Sequence, residues 1–108
     1  MQLGHARALS LARTYVVALA DRTGDEDVAS AYELVLIELD RLHDDRSPDI
    51  EDETLAGNRD LWFELALVAI ANLIRHGVDP LSVELICWRL LDAHTADTHT
   101  AGAGPGDG

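Results

Sequence analysis

Three histidines lie near the ends of periodic segments: His5, His43 and His94. Imidazole suits borderline transition metals, and three rings gathered at one end of a helical bundle could hold Zn²⁺ or Ni²⁺. That convergence requires an up-down-up-down chain. The plainer role for His43, His76 and His94 is a favourable seat near helix C-termini, where the dipole is negative. Carboxylates form the second group. Glu26, Glu33 and Asp40 recur every seven residues and Asp44 follows by four, so they share one helical face, about 10 Å apart along the axis for each step of seven. Asp45, Asp49, Glu51, Asp52 and Glu53 carry the negative charge onward. Such a field can dock an Arg/Lys-rich protein surface or imitate the phosphate backbone of DNA; it can equally keep an apolar protein in solution.

Patterns that would complete an enzyme are missing parts. His43-Asp44 resembles the His-Asp pair of metal-dependent phosphohydrolases, but the further His and Asp ligands cannot be assigned. The Glu-Glu-x-x-Glu and Glu-x-x-Asp motifs of MazG-type pyrophosphohydrolases do not occur. Neither does the Glu-x-x-His of ferritin-like di-iron bundles. Asp44, Asp45 and Asp49 resemble part of a calcium loop without its central Gly and closing Glu. There is no Gly-rich phosphate loop and no nucleophile elbow. A metal-dependent helical enzyme is therefore the third reading, and no cofactor is expected.

The charge is one-sided. Twenty Asp and Glu oppose eight basic residues, all Arg, for a formal net charge of −12. Residues 1–24 carry net +2, residues 25–60 net −10 and residues 61–108 net −4. This balance disfavours direct binding to nucleic acid or an anionic membrane, whose phosphates would be repelled, and favours a basic protein partner. The absence of Lys beside fifteen Ala reads as GC-rich codon usage, hence a bacterial or phage origin. The single Cys87 has no intramolecular disulfide partner and reads as a small buried side chain. The N-terminus lacks a signal-peptide pattern and no apolar run is long enough to span a bilayer, so a cytoplasmic location is expected.

These residues must be positioned by helices, since no stretch alternates with the two-residue period of a strand. The eight glycines fall outside the periodic segments, where Gly punctuates helices rather than weakening them. Helix 1 is predicted at about 5–22, with Leu9, Ala12, Val16 and Leu19 as its stripe. Helix 2 is predicted at about 25–44, with Val28, Tyr32, Val35, Leu39 and Leu42 near a heptad repeat. Its start can be capped by Thr23 with Glu26, or by Asp25. Pro48 after Ser47 permits a short helix in the acidic connection of residues 45–57. Helix 3 is predicted at about 58–76. Twelve of its fourteen residues from Leu61 to Ile74 are apolar, so it lies either at the centre of the bundle or against a second chain. Helix 4 is predicted to open at Asp79-Pro80 and to end near His94, with a disordered tail from Thr95.

The fold expected is all-α: one antiparallel four-helix bundle over residues 1–94, a short linker helix, and a tail over residues 95–108. The function expected is a small non-enzymatic regulatory or adaptor protein, such as a bacterial or phage inhibitor or DNA mimic. It would present Glu26, Glu33, Asp40, Asp44, Asp45, Asp49, Glu51, Asp52 and Glu53 to a basic partner. The alternative is a homodimer or oligomer subunit joined through helix 3, with Trp62, Leu65 and Val68 at the interface. Exposure of Trp62 or Trp88 would mark an anchor for a partner.

Overall fold

The computed structural model describes residues 3–43 and 57–102. Four α-helices fill them: α1 (Leu3–Arg22), α2 (Glu26–Leu42), α3 (Arg59–Asn72) and α4 (Pro80–Gly102), with a 3-10 turn (Leu73–His76) continuing α3. The all-α four-helix bundle is the fold of this chain. The short linker helix and the last residues of the tail, 103–108, lie outside the described residues.

Local chemistry sets most of the boundaries. Asp25 accepts hydrogen bonds from the amides of Asp27 and Val28 at 2.9 and 3.1 Å, starting α2. Asn58 caps α3 through the amide of Leu61 at 3.0 Å, and Asp79 caps α4 through the amide of Ser82 at 3.0 Å. Each side-chain oxygen satisfies an N–H that a helix start leaves unpaired. The 3-10 turn closes on Gly77, whose φ of 92° is left-handed. There Gly77 N–H donates to Ile74 O, and Val78 N–H to Leu73 O. Such a helix end favours a residue without a Cβ.

The stripes read from the sequence are the core. Leu9, Ala12, Val16 and Leu19 of α1 are fully buried, as are Tyr32, Val35 and Leu39 of α2. Leu42 is partly buried and packs against that core. α1 packs against α2 and α3, and α4 packs against α2 and α3; among the described residues the diagonal helix pairs do not meet.

Side-chain contacts fix the chain directions. His5 of α1 meets His43 at the end of α2 and His76 at the end of the 3-10 turn. At the other pole Arg22 covers Trp62, and Thr23, Tyr32 and Arg59 converge on Asp97. Thus α2 and α3 run the same way and lie diagonally opposite, while every packed neighbour pair is antiparallel. Residues 44–56 join one pole to the other, so the chain runs up-down-down-up rather than up-down-up-down.

Two expectations are corrected. α4 does not stop near His94 but continues to Gly102. The small, polar sequence from Thr95 has weak helix propensity. The buried carboxylate of Asp97, bonded to the rest of the bundle, supplies the tertiary anchor that overrides it. Nor is α3 central: it is a wall of the bundle, burying Trp62, Ala66, Ala69 and Ile70 while Leu61 and Val68 remain 42% and 65% exposed. Its outer face is apolar, as its composition requires, and that face meets solvent.

Candidate functional site

The acidic face of α2 survives in part. Glu26 and Glu33 are exposed. Asp40 is drawn sideways into the bundle, where Arg13 Nε of α1 donates to its Oδ1 at 3.0 Å. It ties α1 to α2 and is poorly placed to meet a partner. Asp44, Asp45, Asp49, Glu51, Asp52 and Glu53 lie outside the described residues.

A groove between α2 and α4 collects the most distinctive surface. Its volume is about 240 Å³ and its walls are largely apolar: Val28, Ala31 and Leu34 from α2, Ala93 and Ala96 from α4. Asp27 from the first turn of α2 and Asp92 from α4 also line it, with Arg89. Arg89 Nε stands 3.8 Å from Glu38 Oε1, a partly exposed pair that adds little stability. The small side chains are what make room. The two alanines of α4 sit three residues apart and Ala31 faces them across the groove, so the helices stay packed below while the surface opens above.

Larger apolar side chains of the same two helices also reach solvent. Leu34 and Ile37 of α2 are 47% and 46% exposed, and Leu85 of α4 is 62% exposed. Leu85 and Asp92 are seven residues apart and so share a helical face. Together with Leu81 and Trp88, exposed at 71% and 57%, Leu85 gives α4 a second apolar stripe on its solvent side. Pattern reading from sequence missed it, because the same helix also carries the buried stripe Val83, Ile86 and Leu90. The signal was present in the 4-3 spacing of Leu81, Leu85 and Trp88.

The proposed interface on α3 divides. Trp62 is buried, with the Arg22 guanidinium 5.6 Å from its ring centre; it is a core residue and no anchor. Leu65 is half-buried and Val68 exposed. Of the two tryptophans, Trp88 is the exposed one.

The histidine trio His5, His43 and His94 does not form. His94 lies at the opposite pole, stacked on Phe63 with centroids 4.0 Å apart and with Nε2 3.4 Å from Asp60 Oδ1. Burial holds its pKa below the ordinary value, partly offset by Asp60. Its Nδ1 is buried without a hydrogen-bond partner. The crossover of residues 44–56 is the reason: it reverses α3 and α4 relative to the chain path that would gather the three rings. His76 takes the vacated place beside His5. Among the described residues no group of three or more His, Cys, Asp and Glu side chains is placed to hold a metal ion.

At that opposite pole Asp97 is the hub. Tyr32 Oη donates to Oδ2 at 3.3 Å and Thr23 Oγ1 to Oδ1 at 3.1 Å, while Arg59 Nη1 lies 3.5 Å from Oδ1. Burial, and then the Asp97 carboxylate, push the Tyr32 phenol well above its ordinary pKa. These polar groups satisfy one another.

No protein-family model matches this chain, and no curated protein and no solved structure matches it. No helix of the described residues is long and apolar enough to cross a membrane.

Proposed function

We propose that this protein is a non-enzymatic adaptor or regulator that docks a basic segment of a protein partner along α2 and α4. The observation that carries the reading is the groove between these helices: an apolar floor of Val28, Ala31, Leu34, Ala93 and Ala96 with Asp27, Asp92 and Arg89 beside it, Arg89 standing 3.8 Å from Glu38. Such a site accepts an apolar anchor flanked by Arg or Lys. Glu26 and Glu33, with the rest of the −12 net charge, steer the approach of a cationic surface, and desolvation of Leu34, Ile37 and Leu85 slows departure. Association is then fast and salt-sensitive. Homodimer formation is the alternative use of the exposed apolar surface, favoured by the stripe Leu81, Leu85 and Trp88 on α4 rather than by α3.

The test is a pull-down from native lysate with wild type and with Glu33→Arg/Asp92→Arg. Both acids are exposed, so charge reversal there leaves the core intact. Asp40 is avoided because its substitution breaks the contact with Arg13. A basic protein held by the wild type and released by the variant, or by raised salt, supports the reading. Identical capture lists, with a dimer seen in light scattering, would transfer the function to the apolar stripe.

A further inference from the structure

At the pole where α1 begins, three imidazoles from three elements touch. His43, only 7% exposed, has its Nδ1 2.7 Å from Leu39 O. A carbonyl only accepts, so Nδ1 carries the proton and the neutral ring presents a lone pair at Nε2. That lone pair faces His5 Nε2 at 2.8 Å, so His5 is the donor. His76 lies against the other side of His5, its ring nearly parallel with centroids 5.4 Å apart. Gly4 permits the approach: a Cβ there would stand 3.2 Å from His76 Cε1.

We propose that His5, His43 and His76 form an acid-opened latch that fastens the first turns of α1 to the end of α2 and to the 3-10 turn. The neutral pair can take one added proton, at His5 Nδ1, and keep its hydrogen bond. A second, at His43 Nε2, sets two N–H groups against each other across 2.8 Å, and the pair must part. The charged influences on His5 are all cationic: His43 from α2, His76 from the 3-10 turn, and the N-terminal amine. They act with burial, the largest cause, to hold its pKa below the ordinary value. Arg41 and Arg75 flank His43 and His76 in the chain. The described carboxylates nearest in sequence are engaged, Asp40 with Arg13 and Asp79 with Ser82. Opening the latch frees His43 and the first turn of α1 from each other.

A group whose pKa is depressed by folding stabilises the native state above its unfolded pKa and loses that contribution as pH falls. If folding excludes one proton from the pair, the folding equilibrium constant falls about tenfold from pH 8 to 5.5 on this account alone. The experiment is denaturant unfolding of the full chain from pH 8 to 5.5, wild type against His5→Gln. Glutamine keeps an N–H donor for His43 and, by turning its amide, can accept from the protonated ring. His94 contributes equally to both proteins and cancels. The expected result is a fall about tenfold smaller for His5→Gln. Equal slopes would overturn the proposal. So would ¹⁵N titration of the wild-type imidazoles in which His5 and His43 each take a proton independently near pH 6.5, a readout that stands even if the variant fails to fold.

Discussion

Asp97 is a carboxylate with 6% of its side chain exposed, and its partners come from the end of α1, from α2 and from α3. One side chain of α4 therefore ties together all four helices. Replacing it with Ala leaves the Tyr32 hydroxyl without its acceptor and releases the part-exposed Arg59 guanidinium to solvent, a loss of about 1–3 kcal/mol. Tyr32→Phe removes one hydrogen bond and costs about 1 kcal/mol. Urea denaturation measures both, and the two losses should not add, because the groups share one network. Tyr32 also gives a pH signature. Its folded pKa is raised above the ordinary 10.0, so its contribution is complete below pH 10 and is lost as pH rises beyond it. Tyr32→Phe should abolish that alkaline loss. None of this was legible in the sequence, where Asp97 stands among Thr, Ala and Gly as one more polar residue. A buried carboxylate has no periodic signal of its own; the contacts that justify it come from residues 38 to 74 positions away.

Helix starts obey local rules, which is why those of α2, α3 and α4 were readable. Asp25, Asn58 and Asp79 each stand just before a helix and each accept from an amide two or three residues on. Asp79→Ala should lower stability by about 1 kcal/mol, whereas Leu85→Ala, on the exposed stripe, should change it by less than about 0.5 kcal/mol; thermal unfolding followed by circular dichroism separates them. The contrast bears on function, because a stability-neutral Leu85→Ala that weakens partner capture marks the stripe as binding surface. Buried stripes were equally legible: α1 and α2 each bury one clean line of apolar residues. α3 and α4 were harder. An apolar outer face and an apolar inner face look alike in a sequence, so Trp62 could not be told from Val68, or Trp88 from Leu90, until the helices were placed.

On the scale of the molecule, charge and topology behave differently. The one-sided charge was evident from composition, and among the described residues most of it stays on the surface; Asp97 is buried, and Asp40 is the more instructive exception. Its place in the seven-residue line of acids predicted a solvent-facing role, but Arg13 on the neighbouring helix captured it. Topology was hidden because a connection of a dozen residues can either turn back or cross over. Thirteen residues separate His43 from Gly57, a reach of up to about 43 Å when extended, against about 25 Å for a helix the length of α2. That choice separated His94 from His5 and set His76 in its place.

The same crossover divides the chain into two antiparallel helix pairs, α1 with α2 and α3 with α4. Each pair is joined by a tight turn of its own, and the core forms only when one pair is laid on the other. The bundle is thus a complex of two halves that happen to share a covalent tether. Severing that tether within residues 44–56 should leave two fragments with little helix apiece that regain it on mixing one to one. A protein built this way could be made to report proximity, its fold restored whenever two tagged halves are brought together.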